Sequence, residues 1–181
     1  RYSEDGSVSQ CAHYVNGVLD GPFEQYDSDG TVCLRVWYSS GRLHGPMEIY
    51  ANGNLTLFML FDSGIQHGET VLYTDEGFRS AEFSYINGVL HGPALIYAPE
   101  GPVLESHVYV DGLLHGECLR YFPDGAVMER RWFQYGVRQG LQYTFDGGGK
   151  VIEQIDFIDG TPAHFSDKAV ASSVGREPRI S

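Results

Sequence analysis

Four histidines, His44, His67, His91 and His115, recur at intervals of 23 or 24 residues, and each is followed by glycine. A row of imidazoles suggests zinc, which takes several nitrogens at ~2.0–2.1 Å. Equivalent positions in successive hairpins, however, stand two strands apart, roughly 10 Å. Parallel columns do not converge on one ion, so these histidines read as structural turn residues. Asp146-Gly147-Gly148-Gly149-Lys150 has the glycines of a phosphate loop. It lacks the Gly-Lys-Ser/Thr ending and a following helix. The acidic turns Asp27, Asp29, Asp75, Glu76 and Asp124 could hold calcium weakly, but no loop has EF-hand spacing and Asp is a favoured turn residue. Ser39, Ser40 and Ser63 sit in turns without a strand–nucleophile–helix context. The sequence therefore suggests no catalytic residue, no metal site and no cofactor. Arg120, Arg130, Arg131 and Arg138, with Trp132, form a basic and aromatic cluster where a lipid phosphate or an acidic partner could dock. Glu117 and Glu129 lie close enough in sequence to neutralise much of it.

The elements that must position these residues follow one period. Glycines at 17, 41, 64, 88, 112, 136 and 160 mark a first turn, and a second glycine follows four residues later, from Gly21 to Gly140. A third marks a second turn: Gly30, Gly53, Gly77, Gly101, Gly125 and Gly149. Tyr14, Tyr38, Phe61, Tyr85, Tyr109, Phe133 and Phe157 precede the first turn. Tyr2, Tyr26, Tyr50, Tyr73, Tyr97, Tyr121 and Phe145 precede the second. Asn16-Gly17, Asn87-Gly88 and Asp111-Gly112 are hairpin turn dipeptides, as are Asp29-Gly30, Asn52-Gly53 and Asp124-Gly125. Positive φ is expected at both positions of each. Half a period, twelve residues, is one strand plus one turn. The fold class is all-β: a single elongated, twisted antiparallel sheet of tandem ~24-residue hairpins. Roughly 14 strands ~4.8 Å apart make a rod of about 65 Å. Twist is expected to bring the two aromatic columns together along a trough, with rings stacked along the rod. The second glycine should leave bare backbone beside a ring.

The array is expected to cover residues 1–165, with a half repeat at the N-terminus, about six full units and one partial. Residues 166–181 are expected to form a capping segment, with a short helix up to Gly175, and a tail. The start inside a unit suggests that the native protein extends further N-terminally. The formal charge of −12 argues against nucleic acid and anionic lipid as general partners and favours steered association with a basic protein. Three cysteines without metal-site spacing are expected as free thiols in a reducing compartment, the cytoplasm. A periplasmic or membrane-tethered location stays open. No window approaches the ~18 apolar residues of a membrane span.

The recurring [Y/F]-x-x-G-x-x-H-G-x-x-x-x-Y-x-x-[D/E/N]-G, carried well by Phe61–Gly68 and Tyr85–Gly92, resembles the MORN repeat in the variant form common in bacterial proteins. The resemblance covers roughly residues 2–160. Standard units have a further Gly two after His-Gly, where this chain has Phe23, Met47, Thr70, Ala94, Cys118 and Gln142, and the closing Gly-Glu-Trp is absent. The variant family implies an antitoxin or immunity protein paired with a secreted toxin. Standard repeats imply phospholipid contact and scaffolding at membranes.

The expected function is protein binding without catalysis, by aromatic anchors and acidic turns outside the ladder. Trp37, Phe58, Trp132, Asp75, Glu76, Arg130 and Arg131 are the candidate binding residues. Within Tyr85–Tyr97 the positions free to vary are Ile86, Val89, Leu90 and Ala94–Ile96.

Overall fold

The computed structural model describes residues 1–4, 6–99 and 101–163. The expected C-terminal cap, 166–181, lies outside the described residues. The strands are β1 (Gln10–Val15), β2 (Val18–Tyr26), β3 (Val32–Ser39), β4 (Arg42–Ala51), β5 (Asn54–Asp62), β6 (Ile65–Tyr73), β7 (Arg79–Ile86) and β8 (Val89–Tyr97). They continue as β9 (Val103–Val110), β10 (Leu113–Leu114), β11 (Gly116–Tyr121), β12 (Val127–Gln134), β13 (Val137–Arg138), β14 (Gly140–Phe145), β15 (Val151–Ile158) and β16 (Thr161–Pro162). All belong to one antiparallel sheet whose spatial order is the sequence order, with β10 and β13 as short pieces pairing back on β9 and β12. Every strand thus meets its partners through a local turn.

The two turn families differ. At the first turn both central residues have positive φ, as at Asn16/Gly17 (52° and 80°) and Asn87/Gly88 (52° and 80°), which is the primed turn that matches strand twist. The second turn behaves otherwise, against expectation. Asp29 and Asp124 are not left-handed, and only the glycine after each is. Gly30 donates to the Asp27 carbonyl at 3.1 Å while Asp27 donates to that of Thr31 at 2.9 Å. That is a type I turn closed by a left-handed glycine, one residue longer than a primed turn. Asn52/Gly53 alone uses the primed form at this position, with Ala51 paired to Asn54. The 23-residue interval is therefore a change of turn type. In the half unit at the N-terminus, Gly6 likewise donates to the Ser3 carbonyl at 3.0 Å, and Tyr2 forms an isolated antiparallel bridge with Val8.

Each second glycine opens a bulge. Val36 pairs with Met47 and Tyr38 with Leu43, so that His44-Gly45-Pro46 faces Trp37 alone. The same slip recurs in β1/β2, β5/β6 and β7/β8. Gly45, Gly68 and Gly92 take φ of 93°, 103° and 101°. On the strand that follows, Gly21, Gly45, Gly68, Gly92 and Gly140 pair directly with Tyr38, Phe61, Tyr85, Tyr109 and Phe157. Each of these rings does stand beside a residue with no side chain, as the spacing suggests.

Strand alternation separates the aromatic columns. Direct register partners put Val36, Met47, Met59, Thr70, Phe83, Ala94, His107, Cys118 and Arg131 in one row of one face, here the first face. Tyr38, Phe61, Tyr85, Tyr109, Phe133 and Phe157 share that face. Tyr26 and Tyr50 stand on the second, where their hydroxyls donate to Glu24 at 2.6 Å and Glu48 at 2.8 Å. The two columns therefore do not meet in a common trough. Among the described residues no ring contact joins two members of one column, because every second strand supplies a different residue between them. Ring contacts instead involve pairs such as Phe23 with Tyr38 (centroids 6.0 Å apart).

The core is the central row of the first face. Val36, Thr70, Ala94, Cys118 and Gln142 are buried there, with Ala94 and Cys118 at 0% exposure. Along the rod this row changes character. Phe23, Met47, Met59 and Phe83 give way to His107, Arg131 and Gln142. A neighbouring row carries Glu105, Arg120 and Glu129, linked by Arg120–Glu105 (3.0 Å), His107–Glu105 (3.0 Å) and Gln142–Glu129 (2.8 Å). On the second face Val71, at 2% exposure, is the deepest residue.

Candidate functional site

The rim formed by the first turns is built from two inter-repeat contacts. From Gly41 to Gly160, the N–H of each first-turn glycine donates to a carbonyl of the preceding unit, as Gly88 to Gln66 and Gly136 to Leu114, both at 2.7 Å. One residue after each of those carbonyls stands the histidine column. His67 Nδ1 accepts the N–H of Asn87 at 3.4 Å, and His91 Nδ1 that of Asp111 at 3.5 Å. Asp20 does the same for Ser40 at 3.0 Å, and Gln139 Oε1 for Asp159 at 3.3 Å. His67 and His91 are thus acceptors that pin the next turn. His44 Nδ1 sits 3.3 Å from Asp62, and His115 packs edge-on against Tyr135. Among the described residues no group of three or more His, Cys, Asp or Glu is placed to hold a metal ion. In the Asp146–Lys150 turn, Asp146 Oδ1 itself accepts the N–H groups of Gly148 (3.0 Å) and Lys150 (2.9 Å). The loop's own carboxylate occupies the donors that a phosphate would need.

Beside this rim, on the second face, lies a band of exposed apolar side chains. The residues flanking the first turns are Val15/Val18, Asp62/Ile65, Ile86/Val89, Val110/Leu113, Gln134/Val137 and Ile158/Thr161. Val18, Ile65, Val89, Leu113 and Val137 are 42–52% exposed, and Ile158 is 61% exposed. The residues opposite the bulges form the adjacent column: Trp37, Leu60, Ser84, Val108 and Trp132, with Trp132 50% exposed. Neighbouring units meet along the band because an aliphatic group of one unit rests on the turn glycine of the next. A Cβ at Gly112 would meet Val89 at 3.6 Å, and one at Gly136 would meet Leu113 at 3.6 Å. Flanking the band, the second face is charged. Arg35 pairs with Glu24 at 2.8 Å and Glu48 at 3.4 Å. The Tyr26 hydroxyl, then Arg35, holds the Glu24 carboxyl below the ordinary glutamate value. Burial and then Glu48 push the Tyr50 phenol up.

The structure sorts the residues expected from sequence. Trp37 and Trp132 fall in the band, one half-buried and one exposed. Phe58 is half-buried on the same face, in register with Glu48 and Val71. Asp75 and Glu76 lie exposed in the β6–β7 turn, where the Asp75 carbonyl accepts Asn54 Nδ2 at 2.9 Å. Arg130 and Arg131 do not form one patch, because adjacent residues in a strand point to opposite faces. Arg130 shares the second face with Trp132 and pairs with Glu117 at 3.0 Å. Arg131 belongs to the first-face core, 3.5 Å from Glu129, and Arg138 lies over the Phe133 and Phe157 rings. Of the variable positions, Ile86 and Val89 are exposed band residues, whereas Ala94 is core. Sequence reading missed Val18, Ile65, Leu113, Val137 and Ile158. Their signal is an apolar residue immediately beside a turn dipeptide, repeated at the period.

No family model matches the sequence, and no curated protein is detectably similar. Among solved structures, the chain is similar to part of the accessory secretory protein 1, 2 and 3 structure of Streptococcus pneumoniae, with 15% identity over 78% of this chain and a TM-score of 0.31. It is also similar to part of S. aureus TarM in complex with fondaparinux, α-GlcNAc-glycerol and UDP, with 12% identity over 75% of this chain and a TM-score of 0.27. The chain spans 22% and 21% of the lengths of those two chains. Likeness this partial says nothing about what this chain binds.

Proposed function

We propose that this array is a protein-binding module whose partner seats on the exposed apolar band. The observation that carries this reading is the band itself. Contiguous exposed apolar side chains on a soluble-looking surface mark interaction sites rather than chance exposure, and here they recur in six of seven units. The charge of −12 favours a basic partner, which it would steer at long range. The resemblance of the repeat to the bacterial variant family supports a more specific reading, an immunity or antitoxin protein that occludes a secreted toxin sterically. Trp37 and Trp132 supply the aromatic anchors typical of such interfaces. Three free thiols fit a cytoplasmic site of action. Among the described residues no helix is long and apolar enough to cross a membrane.

The rival reading is a scaffold that contacts phospholipid headgroups. Arg130 and Trp132, both exposed on one face, favour it. Glu117 on Arg130 and the burial of Arg131 weigh against it. The deciding experiment mixes the purified chain with the product of the adjacent reading frame, tested as a candidate basic toxin, and, separately, with anionic liposomes. A stoichiometric, salt-sensitive complex that Leu113→Asp disrupts supports the protein reading. Co-sedimentation with liposomes that is lost in Arg130→Gln, without any protein complex, overturns it.

A further inference from the structure

The apolar band has one break. Seven pairs of residues flank the first turns, and only Ser39/Arg42 contains no apolar member. At that break Ser39, Ser40, Arg42, His44 and Ser63 line an open cavity of about 440 Å³. Two further observations show that the notch is more than a missing aliphatic residue.

The first is electrostatic. Arg35, Arg79, Arg120, Arg130 and Arg131 each have a glutamate partner, and Arg138 lies over two aromatic rings. Arg42 has no carboxylate within ion-pair distance among the described residues, although Asp20 and Asp62 stand on the neighbouring units. Asp20 accepts the Ser40 N–H at 3.0 Å, and Asp62 is held by Ser63 at 2.9 Å and His44 at 3.3 Å. The second concerns the backbone. Ser40 and Ser63 take positive φ, 49° and 53°, at the turn position where Asn16, Asn87 and Asp111 stand elsewhere. Serine is a poorer occupant of that region than Asn or Asp. Tyr135, at 47°, is the third departure at this position among the described residues, but only the two serines line this cavity, where they put hydroxyl groups in place of an amide or a carboxylate.

We infer that this notch receives an acidic side chain of the partner that covers the band, with Arg42 pairing its carboxylate and the Ser39 and Ser40 hydroxyls donating to it. The inference rests on the protein-binding reading and adds a register mark to it. A band of near-equivalent aliphatic residues at a spacing of two strands would allow a partner to slide by one unit. A single guanidinium in one unit makes every shifted register leave a charge unpaired. Electrostatic groups of this kind set specificity more than bulk affinity. A basic partner with one acidic residue at its contact ridge meets both the overall charge of this chain and its local exception.

The test uses nuclear magnetic resonance of the full chain labelled with ¹⁵N, titrated with N-acetyl-aspartate and with its neutral carboxamide analogue. The expected result is a saturable shift of the Arg42 Nε–H and of the Ser40 and Ser63 amides with the carboxylate alone, abolished in Arg42→Gln. No shift, an equal shift with the neutral analogue, or persistence in Arg42→Gln overturns the inference. Vesicles of phosphatidylglycerol form a further arm. Binding to them that Arg42→Gln removes would assign the notch to a lipid phosphate, and that also overturns it. None of these results depends on Leu113, so the loss of the notch and the loss of the protein-binding band are separable outcomes.

Discussion

His67 Nδ1 and the backbone N–H of Asn87, 3.4 Å apart, join a side chain of one hairpin to the left-handed turn residue of the next. The same contact is made by an imidazole, a carboxylate or a carboxamide in different units, so the position requires an acceptor of suitable reach and nothing particular to histidine. Replacing His67 or His91 by Leu should cost about 0.5–1.5 kcal/mol each, the net worth of one hydrogen bond. Gln, already present at 139, should preserve most of it. Urea unfolding midpoints decide the matter: if Leu and Gln variants unfold together, the contact carries no stability.

The bulge glycines should differ among themselves. Gly92 has φ of 101°, and a Cβ there would stand 3.3 Å from Ser84 Cβ. At Gly116, φ is 86° with nothing within 4 Å. Gly116→Ala therefore suffers only backbone strain, on the order of 1 kcal/mol, whereas Gly92→Ala also has to displace Ser84. Gly92→Ala should be the more destabilising in thermal or urea unfolding, and the opposite ranking would refute this account of the bulge.

Acid should weaken the second-face network. The folded state holds Glu24 below its ordinary value of 4.5, so it keeps the carboxylate where the unfolded chain has begun to take up a proton. That contribution is fully present above the ordinary glutamate range and is lost as pH falls through the depressed folded value. Stability measured from pH 6 downward should fall less steeply in Glu24→Gln or Tyr26→Phe than in the parent chain.

The three thiols should label at different rates. Cys11 is exposed, Cys33 half-buried and Cys118 buried, and burial pushes the Cys118 thiol up, disfavouring its thiolate. With an aromatic disulfide reagent under native conditions, Cys11 should react first. Cys118 should react only on the timescale of opening of the sheet. Prompt labelling of all three would show that the first-face core around Cys118 is not closed.

Leu113→Asp should leave folding nearly unchanged while impairing partner binding. The side chain is 47% exposed, and substitutions at exposed positions usually alter stability by no more than about 0.5 kcal/mol. Removal of a central interface anchor commonly costs about 2 kcal/mol or more of binding energy. Unfolding and titration calorimetry together distinguish a binding residue from a structural one.

Much of this molecule was legible in one dimension because its contacts are local. A glycine period of 24 residues, with turn dipeptides and two aromatic columns, is enough to specify a meander, since every strand pairs with its sequence neighbours. Turn chemistry was legible at Asn87-Gly88, and it misled at Asp29-Gly30, where the same dipeptide type closes a longer turn. That difference lies in the number of residues spanning the strand ends, which pairing decides.

What the sequence by itself determined is the repeat, the antiparallel hairpin, the place of the turns and the scaffold role of the histidines. What only the tertiary structure decided is which residues share a face. Side chains alternate every residue, and each unit carries a bulge that shifts the count, so neighbours such as Arg130 and Arg131 part company while Trp37 and Trp132, in units far apart in sequence, fall in one band. The break in that band at Arg42 was invisible for the same reason. Its meaning depends on Ser40 and Ser63, which belong to two different turns and meet only because adjacent hairpins stand side by side.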